Sequence, residues 1–444
     1  MSDLAPPSAV AGETARRAPT RDAREARRDL VRRVAERAAR TGRVVVGWIE
    51  GAEPPRGVPA CSWRDAGVHQ RGWGSAWQTC LGGEHRFTQL RAALAHLFAR
   101  IDTIGDPPPF PPRVYGGLAF TPGSADHGPW RPFGDARFLL PRWSHVQHAG
   151  RTWLSLAIDG ALGPGPSAAS LIGEGALGPG PSAASPDWEG AVGIVQAGIG
   201  RGEVDKVVLA RREVVRLPDG VSPARVLGRL GEMFPDCTTF GARAGAATFV
   251  GATPERLFLK RGRRVWTEAL AGSVDASAPD GASALLASDK ERAEHAFVVR
   301  DIVRRAQPLC ETLTVAERPA VRALRDVLHI QTPIEGRLRT GVGPVDLVEA
   351  LHPTPAVGGV PAAAALERIL ALEPEPRGWY SGPIGWIDER GDAELCVALR
   401  SALLTRDEAW LYAGAGIVRG SDAAAELEET RIKMRAMRSA LGAS

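Results

Sequence analysis

The chain has 444 residues, of which 44% are hydrophobic and 24% charged, and its formal net charge is +4. This balance is ordinary for a globular protein with a sizeable core. No apolar run reaches the length of a membrane span and no N-terminal segment resembles a leader, so we expect a cytoplasmic protein without a membrane partner. Five widely spaced cysteines, with no CxxC pair, argue against a disulfide framework or a thiolate metal site.

Arginine and alanine dominate residues 16–40, and much of the excess positive charge lies in this region. An arginine-rich arm can bind nucleic acid, but no aromatic residue lies among these arginines to stack on bases. The pattern therefore favours an amphipathic surface helix after a flexible tail at residues 1–24. We predict no nucleic-acid partner.

Three segments in the first part of the chain are bounded by glycine or proline and are predicted strands, at 42–51, 115–122 and 151–160. Residues 87–101 have the apolar spacing of a helix. The stretch GALGPGPSAAS then occurs at 160–170 and again at 175–185. A segment of this composition cannot bury a core, so we predict a mobile loop at 160–186.

The second part of the chain contains further predicted strands, at 205–217, 247–262, 264–273, 394–405 and 409–418. The last two are separated by the turn residues 406–408 and are predicted to form a hairpin. Helices are predicted near 281–307 and at 421–441. Strands and helices cluster without regular βαβ alternation, which indicates an α/β protein of the α+β type with largely antiparallel sheets.

The last predicted helix carries charged residues beside its apolar face. Ser421 is a suitable N-cap, and a buried stripe is predicted at Leu427, Thr430, Met434, Met437 and Leu441. Glu426, Glu429 and Lys433 cluster next to that stripe, where unpaired burial is costly. Either they form ordinary solvated pairs, or they face a cavity that holds a compensating ion. Two carboxylates without a nearby Cys or His would suit Mg²⁺ and an anionic substrate.

Several motifs together resemble the chorismate-utilising enzymes, which include isochorismate, salicylate, anthranilate and aminodeoxychorismate synthases. The motifs are GATPERL at 251–257, ALAGS at 269–273, HPTPAVGG at 352–359, ELCVALRSAL at 394–403 and GAGIV at 414–418, followed by the spaced Ser, Glu, Glu and Lys. They run in family order over more than half of the chain. The resemblance implies one catalytic domain, residues 25–444, with two stacked, mostly antiparallel sheets flanked by helices and an active site in a deep cleft.

The resemblance also implies how chorismate would be bound. Glu294 and Glu429 match ligands of an Mg²⁺ cofactor that binds the ring carboxylate, and Glu426 would reach this metal directly or through water. Arg400 and Lys433 match groups that bind substrate carboxylates, and strand alternation predicts that Arg400 faces away from its apolar neighbours. The remaining predicted substrate contacts are Gly272, Ala356, Tyr412, Gly414 and Gly416. The glycines would let backbone N–H groups approach the anion closely.

Two residues match the acid and base of the water-adding members. Lys206 would act as the base that activates water for addition at C2, for which the amine must be neutral. Glu255 would act as the acid that protonates the departing C4 hydroxyl, which requires a raised pKa. The resemblance therefore implies an isochorismate synthase that feeds menaquinone or siderophore synthesis. Salicylate synthase, which also eliminates pyruvate, is the alternative.

Ala356 supports the same choice, because aminating relatives typically carry threonine there. Anthranilate synthase would require a different residue at position 206 and a glutaminase subunit, so no glutaminase partner is expected. No long heptad pattern suggests assembly, and we expect a monomer. His352 is either a packing residue or a neighbour of the site, and Glu268 is either a supporting group behind it or an ordinary strand-face carboxylate.

Overall fold

The computed structural model describes residues 21–65, 67–105, 110–161, 186–324 and 327–442. The helices in chain order are α1 Arg21–Thr41, α2 Arg86–Ala99, α3 Trp188–Gly200, α4 Pro223–Met233, α5 Gly281–Ala287, α6 Asp289–Ala306, α7 Pro344–Leu351, α8 Ala362–Leu372 and α9 Ala423–Leu441. Most of the predicted loop at 160–186 and of the predicted tail at 1–24 lies outside the described residues. No helix in the described ranges is both long and apolar enough to cross a membrane.

The strands of the first half are β1 Val44–Glu50, β2 Cys61–Asp65, β3 Val68–Trp73, β4 Trp77–Leu81, β5 Ile101–Ile104, β6 Arg113–Leu118, β7 Ala136–Leu140, β8 Trp143–His148, β9 Arg151–Asp159, β10 Lys206–Arg216 and β11 Thr238–Ala244. Those of the second half are β12 Ala247–Thr253, β13 Arg256–Arg261, β14 Arg264–Asp275, β15 Cys310–Val315, β16 Ala320–Ala323, β17 Val327–Leu338, β18 Gly359–Val360, β19 Pro383–Asp388, β20 Ala393–Val397, β21 Ser401–Leu404 and β22 Glu408–Ile417. They form two large sheets.

The first sheet has the strand order β18-β10-β22-β21-β12-β11-β2-β3-β8-β9-β1-β5. Its neighbours pair antiparallel except β1 and β5, which are parallel. The second sheet has the order β15-β17-β14-β13-β20-β19-β6-β7-β4, with β16 also pairing β17, and its described pairings are antiparallel. These two mostly antiparallel sheets confirm the predicted fold class.

An aromatic core joins the two sheets. Trp63 and Phe249 come from the first sheet, Tyr115 and Trp386 come from the second, and all are buried in one cluster. Aromatic side chains bury large areas and pack edge to face, which suits the space between stacked sheets. Close strand contact also requires glycine at Gly116, where an added Cβ would lie 1.9 Å from the Arg137 carbonyl oxygen.

Helices cover the outer faces of both sheets. Helices α1, α4, α8 and α9 contact strands of the first sheet, and α2, α5, α6 and α7 contact strands of the second. The arginine-rich segment forms α1, whose Leu30, Val34 and Ala38 are buried against β1 and β9. The predicted amphipathic helix at 16–40 is thus present from Arg21 onward. Its charged residues lie on the opposite, solvent-facing side.

Three local predictions about the second half of the chain need correction. The predicted strand at 394–405 is two strands, because the chain leaves the second sheet after Val397 and enters the first at Ser401. The segment 247–262 is also two strands, interrupted at Pro254, which cannot donate to a ladder. Asp422, not Ser421, is the N-cap of α9, and its carboxylate accepts a hydrogen bond from Ala425 N at 2.9 Å.

Candidate active site

A cavity of about 270 Å³ lies where the two sheets meet α6 and α9. Strands β10 and β22 of the first sheet form one wall, and β14 and β17 of the second form another. All of the residues that the sequence predicts for metal binding, substrate binding and catalysis line this cavity: Lys206, Glu255, Gly272, Glu294, Ala356, Arg400, Tyr412, Gly414, Gly416, Glu426, Glu429 and Lys433. Their individual roles stay predictions.

Lys206 is the first residue of β10 and is 1% exposed. Its Nζ donates a hydrogen bond to Glu294 Oε1, on α6, over 2.6 Å. Burial of an ion pair is costly unless its geometry is good, and this short contact provides a partner for both charges. The predicted base and one predicted metal ligand are therefore in direct contact.

Glu255 lies between β12 and β13 and is buried. Burial is the main cause that raises its pKa to about 7, and the negative charge of Glu268 adds to the effect. Its Oε1 accepts a weak hydrogen bond from the Thr354 hydroxyl at 3.4 Å. Arg256, the next residue, points elsewhere and donates to Glu394 at 2.9 Å. Glu255 is thus a buried carboxyl of the kind that can hold a proton near neutral pH.

Helix α9 directs three charged residues, Glu426, Glu429 and Lys433, into the cavity. Glu426 is 6% exposed, and Lys433 Nζ contacts Glu429 Oε1 at 2.6 Å. Lys433 Nζ also donates to the Gly414 carbonyl oxygen at 2.9 Å, which ties α9 to β22. The charge of Glu429 raises the pKa of Lys433 against the effect of burial, which is the largest single influence and lowers it. Lys433 is consequently a half-buried cation at the cavity wall.

Gly414 and Gly416 lie in strand β22, within the strand predicted at 409–418. Strand β21 pairs with β22 only as far as Leu411, so the edge of β22 beyond that point is not paired with β21. An added Cβ on Gly416 would lie 3.0 Å from Lys206 Cε and 3.1 Å from Glu294 Oε1. The missing side chain leaves room for this ion pair.

Arg400 reaches the cavity by a route that differs from the prediction. It is not in a strand, so alternation along a strand cannot decide its direction. It lies in the crossover between β20 and β21 with φ of +47°, a left-handed conformation that is unfavourable for a residue with a Cβ. The change of sheet, together with this backbone angle, brings the guanidinium to the cavity wall.

The two tyrosines of the cavity have different roles in the structure. Tyr412 lines the wall with its ring, but its hydroxyl accepts a hydrogen bond from Trp130 Nε1 at 2.9 Å. Tyr380 stacks on Tyr412 with ring centroids 5.2 Å apart. The Tyr380 hydroxyl lies 3.4 Å from the position that a Cβ on Gly414 would take. Tyr380, which the sequence argument missed, therefore presents its hydroxyl beside β22.

Further residues that line the cavity were not predicted from the sequence. His329 on β17 lies against Gly272, with its Nδ1 3.2 Å from the Gly272 carbonyl oxygen. Burial lowers the pKa of His329 to about 3, so the ring is neutral.

Glu291 on α6 is a second cavity residue that was not predicted. Its Oε2 accepts a hydrogen bond from Ser273 N at 2.9 Å, where the chain at Gly272 has φ of +76°. Its position three residues before Glu294 was the available signal, since i and i+3 share a helix face.

The two residues left open by the sequence lie behind the cavity. His352 is buried, and its Nε2 contacts the Phe120 carbonyl oxygen at 2.9 Å, so it is a packing residue. Glu268 accepts a hydrogen bond from Arg322 at 3.0 Å and acts on Glu255 through its charge. It therefore supports the predicted acid from outside the cavity.

The chemistry of the lining residues fits a hard divalent cation. The described cavity residues include glutamates on both α6 and α9 but no cysteine, and carboxylate oxygens are the ligands that Mg²⁺ prefers. Glu294 and Glu429 each contact a lysine, and no group of three or more His, Cys, Asp or Glu side chains in the described ranges is arranged to hold a metal ion. The donor type thus fits Mg²⁺, and assembly of a site would require these carboxylates to exchange partners.

Comparison with known proteins agrees with this cavity. Residues 60–161 and 178–442 match the family described as "Chorismate binding enzyme". A protein named "Salicylate biosynthesis isochorismate synthase", from Pseudomonas aeruginosa, is 36% identical over 425 residues, which cover 89% of this chain and 87% of that protein. Isochorismate synthase MenF of Bacillus subtilis is 39% identical over 245 residues, which cover 54% of this chain and 52% of that protein.

Solved structures show the same fold. The menaquinone-specific isochorismate synthase MenF from Escherichia coli superposes with a TM-score of 0.71 at 27% identity, covering 93% of this chain and 99% of that one. A structure described as putative 2,3-dihydroxybenzoate-specific isochorismate synthase DhbC, from Bacillus anthracis, gives 0.70 at 27% identity and covers 87% and 97%. With the family match spanning most of its length and the predicted residues gathered in one cavity, the chain belongs to the chorismate binding enzyme family.

Proposed function

We propose that this protein is an isochorismate synthase, which isomerises chorismate to isochorismate with Mg²⁺ as cofactor. The observation that carries the proposal is the position of Lys206 and Glu255 in one cavity, a buried amine and a buried carboxyl with a raised pKa. Addition of water at C2 needs a base, and loss of the C4 hydroxyl needs an acid. The 36% identity to the P. aeruginosa protein over most of both chains supports the same activity.

The remaining cavity groups have complementary tasks in this proposal. Arg400 and Lys433 bind carboxylate groups of chorismate, and Glu294, Glu426 and Glu429 hold the metal. When bound, Mg²⁺ would neutralise and orient the ring carboxylate. Lys206 must give up its proton before it can accept one from water, and its Nζ lies 2.6 Å from Glu294 Oε1. Glu255 supplies its proton to the departing hydroxyl.

A product assay tests the activity. Purified protein is incubated with chorismate and Mg²⁺, with and without ammonia, and the products are separated by chromatography. We expect isochorismate alone, and its loss in EDTA. A Lys206→Arg variant keeps a cation opposite Glu294 but cannot be deprotonated, so we expect a fall in kcat of about 100-fold or more, as in Lys206→Ala.

The other products identify the alternatives. Salicylate with pyruvate, formed faster than isochorismate decays by itself, would make the protein a salicylate synthase. Anthranilate formed with ammonia would contradict the role of Lys206, and no turnover would contradict the proposal as a whole.

We also propose that the protein works as a cytoplasmic monomer without a glutaminase subunit. Sedimentation of the purified protein at several concentrations measures the oligomeric state.

A further inference from the structure

Two segments that change sheets lie side by side at the cavity wall. One runs from β12 to β13 through Pro254 and Glu255, and the other runs from β20 to β21 through residues 398–400. Strand β12 pairs with β21 on one side of this change, and β13 pairs with β20 on the other. The predicted acid Glu255 and the predicted carboxylate binder Arg400 therefore lie on neighbouring crossovers.

The main-chain pairing between these crossovers is altered at Glu255. Continuing the register of β13 and β20, in which Arg256 and Cys396 are partners, places Glu255 opposite Val397. A hydrogen-bonded pair in an antiparallel ladder exchanges two N–H···O bonds. Val397 N donates to the Glu255 carbonyl oxygen at 3.0 Å, but Glu255 N donates to the Thr253 hydroxyl, at 3.2 Å, in place of the Val397 carbonyl. A side chain thus interrupts the second bond of the pair.

The Thr253 hydroxyl bridges this interruption. It accepts the hydrogen of Glu255 N and donates its own hydrogen to the Val397 carbonyl oxygen at 2.6 Å. A hydroxyl has one hydrogen to donate and lone pairs to accept, so it makes both bonds at once. Pro254 has no N–H and cannot supply either of them. Because Thr253 is 1% exposed, water does not readily replace its hydroxyl as the partner of Glu255 N.

The inserted hydroxyl opens the ladder at the residue whose side chain enters the cavity. A direct bond would hold the Glu255 nitrogen about 3 Å from the Val397 oxygen, and a bridging oxygen keeps the two groups further apart. The described lining of the cavity includes Pro254 and Glu255 but not Thr253. Thr253 is therefore placed to act through the position of Glu255, without touching a ligand itself.

We propose that Thr253 is a positioning residue, whose hydroxyl holds the main chain at Glu255 so that the carboxyl points at the departing group of the substrate. This inference rests on the proposed function, in which Glu255 protonates the C4 hydroxyl. A displacement of about 1 Å at a reacting group can cost about 100-fold in rate. Ala252 N donates to the Arg400 carbonyl oxygen at 3.2 Å, so Arg400 keeps an attachment that does not involve the Thr253 hydroxyl.

Substitutions at Thr253 separate the hydroxyl from the shape of the side chain. Thr253→Val replaces the hydroxyl with a methyl group, whereas Thr253→Ser keeps the hydroxyl and loses the methyl. We expect Thr253→Val to lower kcat about 10- to 100-fold with KM for chorismate within about threefold of the unmodified value. Thr253→Ser should retain most of kcat. Thr253→Ala, which also lacks the hydroxyl, should behave as Thr253→Val does and replaces it if the valine prevents folding.

Thr267→Val is the matched control for loss of a buried hydroxyl. Thr267 is buried in β14, and its hydroxyl donates to the Leu257 carbonyl oxygen at 2.7 Å. Both valine variants leave a buried backbone group without its hydroxyl partner, so both should lower Tm by comparable amounts. Only Thr253→Val should lower kcat. An equal fall of kcat in Thr267→Val would show that general destabilisation, and not positioning, is responsible.

A double-variant cycle tests whether Thr253 acts through Glu255. Glu255→Gln lowers kcat by itself, and adding Thr253→Val should lower it no further, because the side chain being misplaced no longer carries the acidic proton. Multiplication of the two effects would overturn the proposal. An unchanged kcat in Thr253→Val would do so as well, and so would an equal loss in Thr253→Ser.

Crystal structures of the unmodified and Thr253→Val proteins separate failure of this inference from failure of the proposed function. In the variant we expect Glu255 N to bond directly to the Val397 carbonyl oxygen and the Glu255 carboxyl to move by about 1 Å. A displaced carboxyl, with no turnover of chorismate by the unmodified protein, would contradict only the proposed function. An unmoved carboxyl in an active enzyme would contradict only the role of Thr253. An unmoved carboxyl without turnover would contradict both.

Discussion

Glu255 is the residue whose charge controls the proposed reaction near neutral pH. Its pKa of about 7 places it in the protonated form below that value, chiefly because burial disfavours the carboxylate. We expect kcat to fall about tenfold for each pH unit above about 7, as the proton is lost. A pH profile of kcat between 6 and 9 measures this limb.

A Glu268→Gln variant tests whether Glu255 causes this fall in kcat above about pH 7. Glu268→Gln removes the charge that raises the Glu255 pKa, so the limb should move to lower pH. Glu255→Gln should abolish most activity at every pH. A kcat that stays constant to pH 9 in the unmodified protein would contradict Glu255 as the acid.

The sequence predicted which residues line the cavity better than it predicted where their side chains point. The charged residues were recognisable because their motifs occur in a fixed order. Tyr380 and Ser381, which also line the cavity, were missed because a turn with positive φ at Ser381 places them there. Glycine or asparagine would signal such a turn in the sequence, but serine does not. The hydroxyl of Tyr412 turns to Trp130, a contact between residues far apart in the chain that no local pattern reveals.

At the scale of elements, a buried ion pair connects three parts of the cavity wall. Arg377 donates to Glu373 at 2.8 Å, to the Val357 carbonyl oxygen at 2.8 Å and to the Val208 carbonyl oxygen at 2.8 Å. Glu373 in turn accepts from Ala210 N at 2.8 Å. The segment after α8 is thereby fixed to β10 and to the loop that carries Ala356.

Removing one partner of this pair should be strongly destabilising. Glu373→Ala leaves the Arg377 charge buried, and we expect a loss of about 3–5 kcal/mol in the free energy of unfolding, measured with urea. The control is Glu375→Ala, which breaks the more exposed contact with Arg212 and should cost no more than about 1 kcal/mol. Equal losses in the two variants would show that the buried pair has no special part in the fold.

Across the whole molecule, histidines with lowered pKa values should govern stability in mild acid. Burial lowers the pKa to about 4 for His69 and His145 and to about 3 for His329 and His352. Between these values and about 6.5 the unfolded chain binds more protons than the native protein, so stability falls as pH decreases. Two buried acids act oppositely between about 4.5 and 7, because burial raises the pKa of Glu255 and Glu394 to about 7.

His295 is a fifth histidine whose pKa burial lowers, and Asp388 and Glu389 are two further acids whose pKa burial raises. The five histidines still outnumber the four acids, so the net slope should follow the histidines. We expect the free energy of unfolding to decrease when the pH is lowered from 6.5 to 5. His352→Gln, which retains a donor for the Phe120 carbonyl, should reduce this slope by about 1.4 kcal/mol per pH unit. The exposed His85→Gln is the control and should leave the slope unchanged. Urea unfolding at both pH values measures the slopes, and equal slopes in all three proteins would contradict the argument.

The class of the fold could be predicted from the sequence, but the arrangement of its strands could not. Segments such as 205–217 and 151–160 are strands because their apolar residues and flanking turns are local signals. The sheet order depends on pairings between distant strands, such as β6 with β19 and β2 with β11. The exchange of sheets after Val397 could not be predicted either, since Ala398 and Leu399 continue the apolar residues of the strand into the crossover.

The pairing of β6 with β19 has a consequence for how the protein is made. While the ribosome is still synthesising the chain, one edge of β6 can pair with the nearby β7, but the other edge must wait for most of the remaining sequence before β19 exists. Strand β2, which belongs to the other sheet, likewise has to wait for its partner β11. Neither sheet can therefore be completed from the nascent first half of the chain alone. Unpaired strand edges attract other chains, and loop closure over such separations is slow. We therefore expect folding to finish only after release, with the emerging chain dependent on chaperones until then.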